Sequence, residues 1–594
     1  MVNSPNASYY QQRANQFQQE SQAIEKQIRV LAWLRVACVV VLGIIVYMAL
    51  SNTDFYYAVS LPLIAFILLV RKQTAAREWK ERLAYLGLLN QREAKAFSFE
   101  SIEFADGQAF ADVHHAYSHD LDLFGPGSVF QYLNRCGTHA GEVRLAQDLK
   151  YPTFTKQELY SRQEAVRELA ALPELRQQVW ATGKQINDAG YDTNGLLNWL
   201  KQQPIFYRNK TITLLRWALP AITISIGVFV MFSMNYFGVF LLMATLQLAI
   251  AAIYARRISA IQEVLVAGGK IMYNYAKIFE LLAHQNFASA KMQHHQAVAE
   301  SAFKKVKEFS ALVHALEARM NPLAMQLGNG LFLYDFHTVS KLEKWREENA
   351  KDLPLWLASL AEWDSLISLA TLHFNYPQYA FAEVTDQMIV KGEAIGHVLI
   401  PDAIRVNNNF ELGNPQNVCL ITGANMAGKS TFLRALGVNF VLAQIGSPVC
   451  ARTWKTNLLK LRTGMRTTDS LQEHQSYFFA ELNRLQSIVQ ELETTPLFIL
   501  LDEILKGTNS TDKQLGSLEL LKRLKEKQAL TVLATHDIAL GVLQEEYPQQ
   551  IITACFEGKI ENEQLSFDYT LQAGVAQKAN ATFLMRKMGI IPQV

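Results

Sequence analysis

Val418-Cys419-Leu420-Ile421-Thr422-Gly423-Ala424-Asn425-Met426-Ala427-Gly428-Lys429-Ser430-Thr431 decides how the C-terminal part of this chain is read. An apolar strand, Val418 to Ile421, runs into the pattern G-x-x-x-x-G-K-[ST], which at the start of a helix is a phosphate-binding loop. The glycines let the loop wrap so that backbone N–H groups face the phosphates, and the following helix offers its positive N-terminus. Lys429 then reaches the terminal phosphates and Ser430 ligates Mg²⁺. All of Gly423 to Thr431 is expected to line a nucleoside triphosphate.

Two further strands extend the reading. Leu497-Phe498-Ile499-Leu500-Leu501 is wholly apolar and ends in Asp502-Glu503. Asp502 is placed to hold Mg²⁺ through its water shell. Glu503 is placed to orient or deprotonate an attacking water, which needs a carboxylate within hydrogen-bond reach. The next apolar strand, Leu530 to Ala534, ends in Thr535-His536-Asp537.

The words around these strands carry a family resemblance. Thr422 to Gly437 (TGANMAGKSTFLRALG), Leu442 to Val449 (LAQIGSPV), and Asp502-Glu503-Ile504 followed by Gly507-Thr508-Asn509-Ser510-Thr511-Asp512 are similar to the ATPase domain of the MutS family. No LSGGQ-type word of a transporter ATPase precedes the acidic strand. The resemblance implies an α/β ABC-type P-loop ATPase domain over residues 386–594, using ATP and Mg²⁺. It gives His536 the part of γ-phosphate sensor. Asp469 to Glu481 resembles the family's looser signature, in which Ser476 contacts the γ-phosphate of the partner subunit's nucleotide, so a homodimer through the ATPase domain is implied. Two departures stand out: His474 or a neighbour replaces the family glycine, and Lys513 replaces the glycine after Asp512. For the adenine-stacking aromatic, Phe410 is the nearest candidate.

Upstream, the pattern is helical. Gly127 to Leu133, Gly141 to Leu149 and Lys156 to Leu172 read as helices broken by Pro152 and Pro173. Ser128 to Arg135, Thr138 to Gly141, Tyr151-Pro152 and Ser161 to Val166 resemble the start of the MutS helical core, and Trp363 to Ala370 resembles the helix that leads into its ATPase. An all-α core and lever region is therefore expected in two parts, residues 101–207 and 258–385, with Ile258 to Arg319 as lever. Too few residues remain there for a full DNA-embracing clamp. No mismatch-reading domain is recognisable ahead of the core, and Phe381-Ala382-Glu383 matches a Phe-x-Glu only by chance.

The stretch ahead of the core is occupied by apolar runs, Val36 to Leu50 and Phe55 to Val70, and a second pair follows at Ala218 to Met234 and Phe237 to Tyr254. Each approaches the ~20 residues that a helix needs to cross a hydrocarbon core of ~30 Å. Two transmembrane helical hairpins are expected, one within residues 1–100 (spans at about 31–50 and 55–70) and one over 208–257. Lys and Arg stay on the cytoplasmic side. Arg29, Arg35, Arg71, Lys72 and Arg77 flank the first hairpin, Arg208, Lys210, Arg216, Arg256 and Arg257 the second, and neither tip carries either residue. This predicts a multi-pass protein of the inner (cytoplasmic) membrane with both termini and all soluble segments cytoplasmic. Trp33, Tyr56, Tyr57, Trp217 and Tyr236 mark the headgroup level. Acidic residues are absent from the runs and Gln247 is their one strongly polar side chain, so they read as anchors rather than an ion path.

Bulk numbers set the remaining limits. A chain of 594 residues needs several domains. Its formal net charge of +2 offers no global field for a polyanion, so any DNA contact is local. Five scattered cysteines without a CxxC pair indicate neither a disulfide framework nor a structural metal. Two classes of action stay open: a DNA transaction of mismatch-repair type, as the family implies, and a membrane-associated mechanical or scaffolding ATPase acting on protein partners. A transporter is the weaker third.

Overall fold

The computed structural model describes residues 7–51, 57–185, 188, 193–466, 477–505, 508–527, 529–561 and 564–577. Helices dominate up to residue 375: α1 Ala7–Ser51, α2 Ser60–Phe97, α3 Val129–Leu133, α4 His139–Lys150, α5 Lys156–Ala170, α6 Pro173–Lys184, α7 Thr193–Leu200, α8 Lys210–Phe232, α9 Phe237–Ala283, α10 Ala290–Glu317, α11 Pro322–Phe332, α12 Tyr334–Asn349 and α13 Leu353–Asn375. Strands and helices then alternate: β1 Ala380–Phe381, β2 Glu383–Val384, β3 Ile389–Ile395, β4 Asn408–Gly413, β5 Val418–Gly423, α14 Lys429–Gln444, β6 Pro448–Val449, β7 Thr453–Thr456, β8 Lys460–Gly464, α15 Tyr477–Leu492, β9 Leu497–Asp502, α16 Ser510–Glu526, β10 Ala529–Thr535, α17 Val542–Glu546, β11 Ile551–Glu561 and β12 Gln564–Ala573.

A six-stranded sheet in the order β12-β11-β5-β10-β9-β8 organises the C-terminal region. All its neighbours are parallel except the β11/β12 hairpin. Strands β5 and β10 are buried throughout because both faces are covered, which is why they read as unbroken apolar runs. A smaller sheet, β2-β7-β3-β4, stands beside it, and β1 pairs with β6. The α/β region thus begins at Ala380 rather than at 386, and Phe381, in β1, is capped by the Arg167 guanidinium 4.1 Å from its ring centre.

Among the helices, local signals act as read. Ser128 and Thr138 cap α3 and α4, and Thr155 with Glu158 forms a capping box at α5. The centre of the helical region is α13. Its fully buried Asp364 accepts bonds from Gly137 N, Thr138 N and Thr138 Oγ1 at 3.0, 2.8 and 2.6 Å. Burial still pushes that carboxyl up to about 6. A side chain at Gly141 would collide with the same carboxylate, so α4 can approach only as glycine.

Four helical stretches are long and apolar enough to cross a membrane by length and composition: Ala7–Leu50, Tyr57–Phe97, Lys210–Phe232 and Met234–Val266. The helices outrun their apolar runs. The polar start of α1 and end of α2 pack onto the core through Tyr10, Phe17 and Leu86, and Arg13 pairs with Glu174 at 2.5 Å. The first hairpin's tip, residues 52–56, lies outside the described residues; the second turns through Ser233 and a short 3₁₀ segment, Met234–Tyr236. Between α8 and α9, Gln247 donates to Thr223 Oγ1 at 2.6 Å, both side chains fully buried. Helix α9 runs 47 residues without a break, through the expected boundary at 257/258. The second arm of this hairpin and the helix expected as the lever are therefore one rod, about 70 Å long at 1.5 Å per residue.

Candidate functional site

Parallel pairing brings the three sequence words to one edge. Ile421 on β5 lies opposite Ala534 on β10, and Ala534 lies opposite Asp502 on β9, so the loop after β5, the acidic pair and the His536 turn all leave the same ends of adjacent strands. Open α/β sheets bind ligands at that edge.

Gly423 and Gly428 carry φ of 150° and 104°, which favour glycine, and Met426 between them also turns through a left-handed 69°. The loop curls back over the start of α14. Lys429, largely buried, donates from Nζ to the carbonyls of Gly423 and Ala424 at 2.8 and 2.9 Å, so its ammonium is held along the loop's inner rim. Across the cavity, Glu503 sits at φ 52°, and its N–H bonds to Ala534 O at 2.8 Å. This left-handed turn ends β9 abruptly and leaves the carboxylate facing the cavity. His536 Nδ1 stands 3.7 Å from Glu503 Oε1, on the more exposed side of that carboxylate.

The cavity holds about 580 Å³ and is lined by Asn425, Met426, Gly428, Lys429, Ser430 and Thr431 on one side and Asp502 and Glu503 on the other. That volume lies within the usual range of ligand pockets. A cation, two hydroxyls, a helix N-terminus and two carboxylates are the donor set that a triphosphate with Mg²⁺ requires, so the residues fit that group: Lys429 and the loop N–H groups for phosphate, Ser430 and Asp502 for the metal. Of the expected residues, Gly423, Ala424, Ala427 and His536 stand outside the lining, Ala427 being buried beneath the loop. Ser476 lies outside the described residues, as do Lys506 and Gly507.

The far end of the cavity was not legible in the sequence. Phe410, the candidate for stacking, turns into the core and meets Phe432 edge-on at 5.7 Å between ring centres. The walls there are His397, Ile404, Val406 and, from β12, Tyr569. Tyr569 is fixed by its backbone: Asn408 donates to its carbonyl at 3.0 Å, and a side chain at Gly428 would come within 3.1 Å of its ring. Burial, reinforced by the nearby Arg434 cation, pushes His397 down to about 4, so the charge at this end comes from Arg405, which also lines it, and not from the histidine.

The site is tied to the helices ahead of it. Asp120, fully buried, accepts from Met465 N and Arg466 N at 3.1 Å each and from Arg484 at 2.7 Å, while Asp122 pairs with Arg434 of α14 at 3.0 Å. At the other end of α14, Arg162 of α5 donates to Ile445 O at 2.8 Å and pairs with Asp148 and Glu362; Glu362 pairs in turn with Lys291 of α10 at 2.7 Å. Burial alone would raise the Glu362 carboxyl, but the Lys291 ammonium and its neighbours outweigh that and hold it at about 2.

Fold and site together define an α/β domain with a phosphate-loop sequence at the carboxyl edge of a parallel sheet, joined to a helical body. Residues 419–593 match the family model described as MutS domain V. The chain is 28% identical over 295 residues to the DNA mismatch repair protein MutS of Thermotoga maritima, covering 49% of this chain and 35% of that protein. It is 33% identical over 218 residues to the DNA mismatch repair protein MSH3 of Phaeosphaeria nodorum, covering 36% and 18%. With the DNA mismatch repair protein MutS of Chlorobaculum parvum it shares 33% identity over 196 residues, 32% of this chain and 22% of that protein. The C-terminal region of this chain thus carries the ATPase-related domain of the MutS family. The matches span about a third or less of the length of these relatives.

Proposed function

We propose that this chain is a membrane-anchored MutS-type ATPase whose nucleotide state is passed through its helical body to the second hairpin. The observation that carries the reading is the meeting of Lys429, Ser430, Asp502 and Glu503 around one cavity, with His536 beside Glu503. When bound, ATP with Mg²⁺ supplies the phosphoanhydride and the charge that polarises it. Lys429 and the loop N–H groups bind and orient the phosphates. Glu503 takes up the proton of the attacking water, and His536 holds that carboxylate in place and faces the terminal phosphate. Two copies complete the site, each lending the segment around Ser476 to the other.

Transmission has a physical route. Arg162, Glu362 and Lys291 form an ion-paired chain from the end of α14 to α10, which packs along α9, and α9 is continuous with the hairpin. A shift of α14 therefore reaches the rod without crossing a flexible linker. We place both hairpins in the inner (cytoplasmic) membrane, with tips outward and the ATPase cytoplasmic, on the one-sided basic flanks.

DNA binding is a second reading, favoured by relatives that are named DNA mismatch repair proteins. The test is ATP turnover by the full chain in nanodiscs, titrated with duplex, branched and mismatched DNA over a range of salt. Binding that weakens steeply with salt, together with altered turnover, supports the DNA role. Turnover indifferent to every DNA leaves the membrane-mechanical reading, and no turnover at all sinks the ATPase.

A further inference from the structure

Helix α11, Pro322–Phe332, sits between the lever helix α10 and the helices leading to the ATPase, and no function has yet been given to it. No charged residue occurs from Met320 to Tyr334. Two leucines on its outer face are open: Leu323 and Leu327 are 70 and 62% exposed, one turn apart, with the exposed Gln326 beside them and Met320, 70% exposed, in the short segment just ahead. An 11-residue apolar helix is too short to span a bilayer but suits an interfacial or re-entrant segment.

Its place against the second hairpin gives the depth. Arg319, just ahead of it, donates to Ser259 Oγ at 2.8 Å and pairs with Asp335 at 2.8 Å, beside the basic pair Arg256-Arg257 at the hairpin's base. Gly330, near the other end, lies against α9 where a side chain would meet Leu248 at 3.6 Å and the carbonyl of Ala244 at 3.8 Å. Those positions are about 10–16 Å nearer the tip than Ala255, at 1.5 Å per residue. The chain leaves the base, enters the level of the apolar run and returns, since Phe336 of α12 again packs on Tyr254.

Both helix ends are closed, as insertion into a low-dielectric layer permits. Asn321 accepts from Leu323 N and Ala324 N, and the N–H of left-handed Leu333 returns to the carbonyls of Gly328 and Asn329. The buried Asn329 side chain accepts from Asp335 N at 3.0 Å.

We infer that α11 is a membrane-inserted helix whose Leu323 and Leu327 face the acyl chains of the cytoplasmic leaflet, so that the lever region has a lipid contact of its own beyond the two hairpins. The inference rests on the membrane reading above. It commits to lipid because the patch continues the apolar surface of α8 and α9, against which the opposite face of α11 packs. In consequence, any movement of the lever relative to the ATPase drags α11 through the leaflet.

Site-directed spin labelling of the full chain in nanodiscs of phosphatidylcholine and phosphatidylglycerol tests this. In a Cys38→Ser background, where the other four cysteines are buried, single labels go to Leu323→Cys, Leu327→Cys, Leu242→Cys on the exposed side of α9, and Leu355→Cys on the exposed side of α13. All four positions are exposed, so the variants should fold. Labels at 323 and 327 should behave like that at 242, relaxed strongly by oxygen and weakly by a water-soluble nickel chelate, with the reverse at 355. If 323 and 327 follow 355 while 242 remains lipid-like, α11 is not inserted and the hairpin reading survives. If 242 also reports water, the membrane reading itself fails. Dipolar broadening between labels at 323, with both relaxants excluded, would mean that a second copy covers this face and would overturn the lipid assignment.

Discussion

The C-terminal α/β region and the helical body bring distant residues together in different ways. At the cavity, the loop, the acidic pair and the histidine each follow an apolar strand, and parallel pairing of β5, β10 and β9 aligns their ends. In the helical body, partners meet without any such word: Arg135 pairs with Glu93, Asp364 holds Gly137 and Thr138, and Glu362 gathers Arg162, Lys291 and His295. The difference teaches where chemistry and where transmission are written. Phosphate chemistry needs fixed residue types at fixed offsets, whereas a packed lever needs only that buried charges find partners somewhere.

Experiments that touch one region at a time can break this contrast. The largest effect is expected from Glu503→Gln: turnover should fall about 10²–10⁴-fold, the usual contribution of a general base, with ATP binding retained. Normal turnover would remove Glu503 from that role and leave the helical body untouched. Next is Asp120→Ala at the seam between the two regions. Stranding Arg484 and the N–H groups of Met465 and Arg466 should cost about 3–5 kcal/mol. A thermal shift well below that would mean the regions are joined more loosely than the buried carboxylate implies.

Lys429→Ala should weaken ATP binding about 10–100-fold, from ~1.5–3 kcal/mol for a bond to a charged group, while membrane retention stays unchanged. A pH series addresses both regions, through His295 of α10 and His397 at the cavity. Burial, aided by nearby cations, holds His295 and His397 down at about 4, against about 6.5 in the unfolded chain. Between those values the unfolded chain binds protons that the folded one refuses. Stability is therefore complete above about pH 6.5 and declines as pH falls toward 4, by up to ~1.4 kcal/mol per pH unit for each histidine. Apparent melting temperatures should trace that slope, and His295→Gln should flatten it; a slope unaltered by the substitution would show that His295 titrates normally. The smallest effect belongs to Gln247→Leu, about 0.6 kcal/mol, the average for hydrogen bonds between membrane helices. A loss of several kcal/mol there would make the pair a keystone of the hairpin.

The part of the candidate site formed by Gly423 to Thr431 and Asp502-Glu503 was open to sequence reading, because each stretch directly follows an apolar strand. The end of the cavity lined by His397 and Tyr569 was closed to it. Tyr569 reaches the cavity only because β12 folds back beside β11, and Phe410 fails as a stacking residue because β4 turns its side chain onto Phe432. Strand pattern cannot say which strand will return to a given mouth. The helical body gave up its caps at Ser128, Thr138 and Thr155, which are local, but not α11, whose short apolar stretch looks in sequence like any buried helix.

By itself the sequence determined the apolar runs, their basic flanks, the strand-loop-helix at Gly423 to Thr431 and the family words, since each depends on residues within one or two turns of each other. Only the tertiary structure decided that α9 runs unbroken from the second apolar pair into the helical body, that Arg162 and Glu362 link α14 to α10, and that α11 turns Leu323 and Leu327 outward beside α8 and α9. Burial is a property of the assembled packing, so which apolar face stays open and which buried charge finds which partner can be read only after the helices have met.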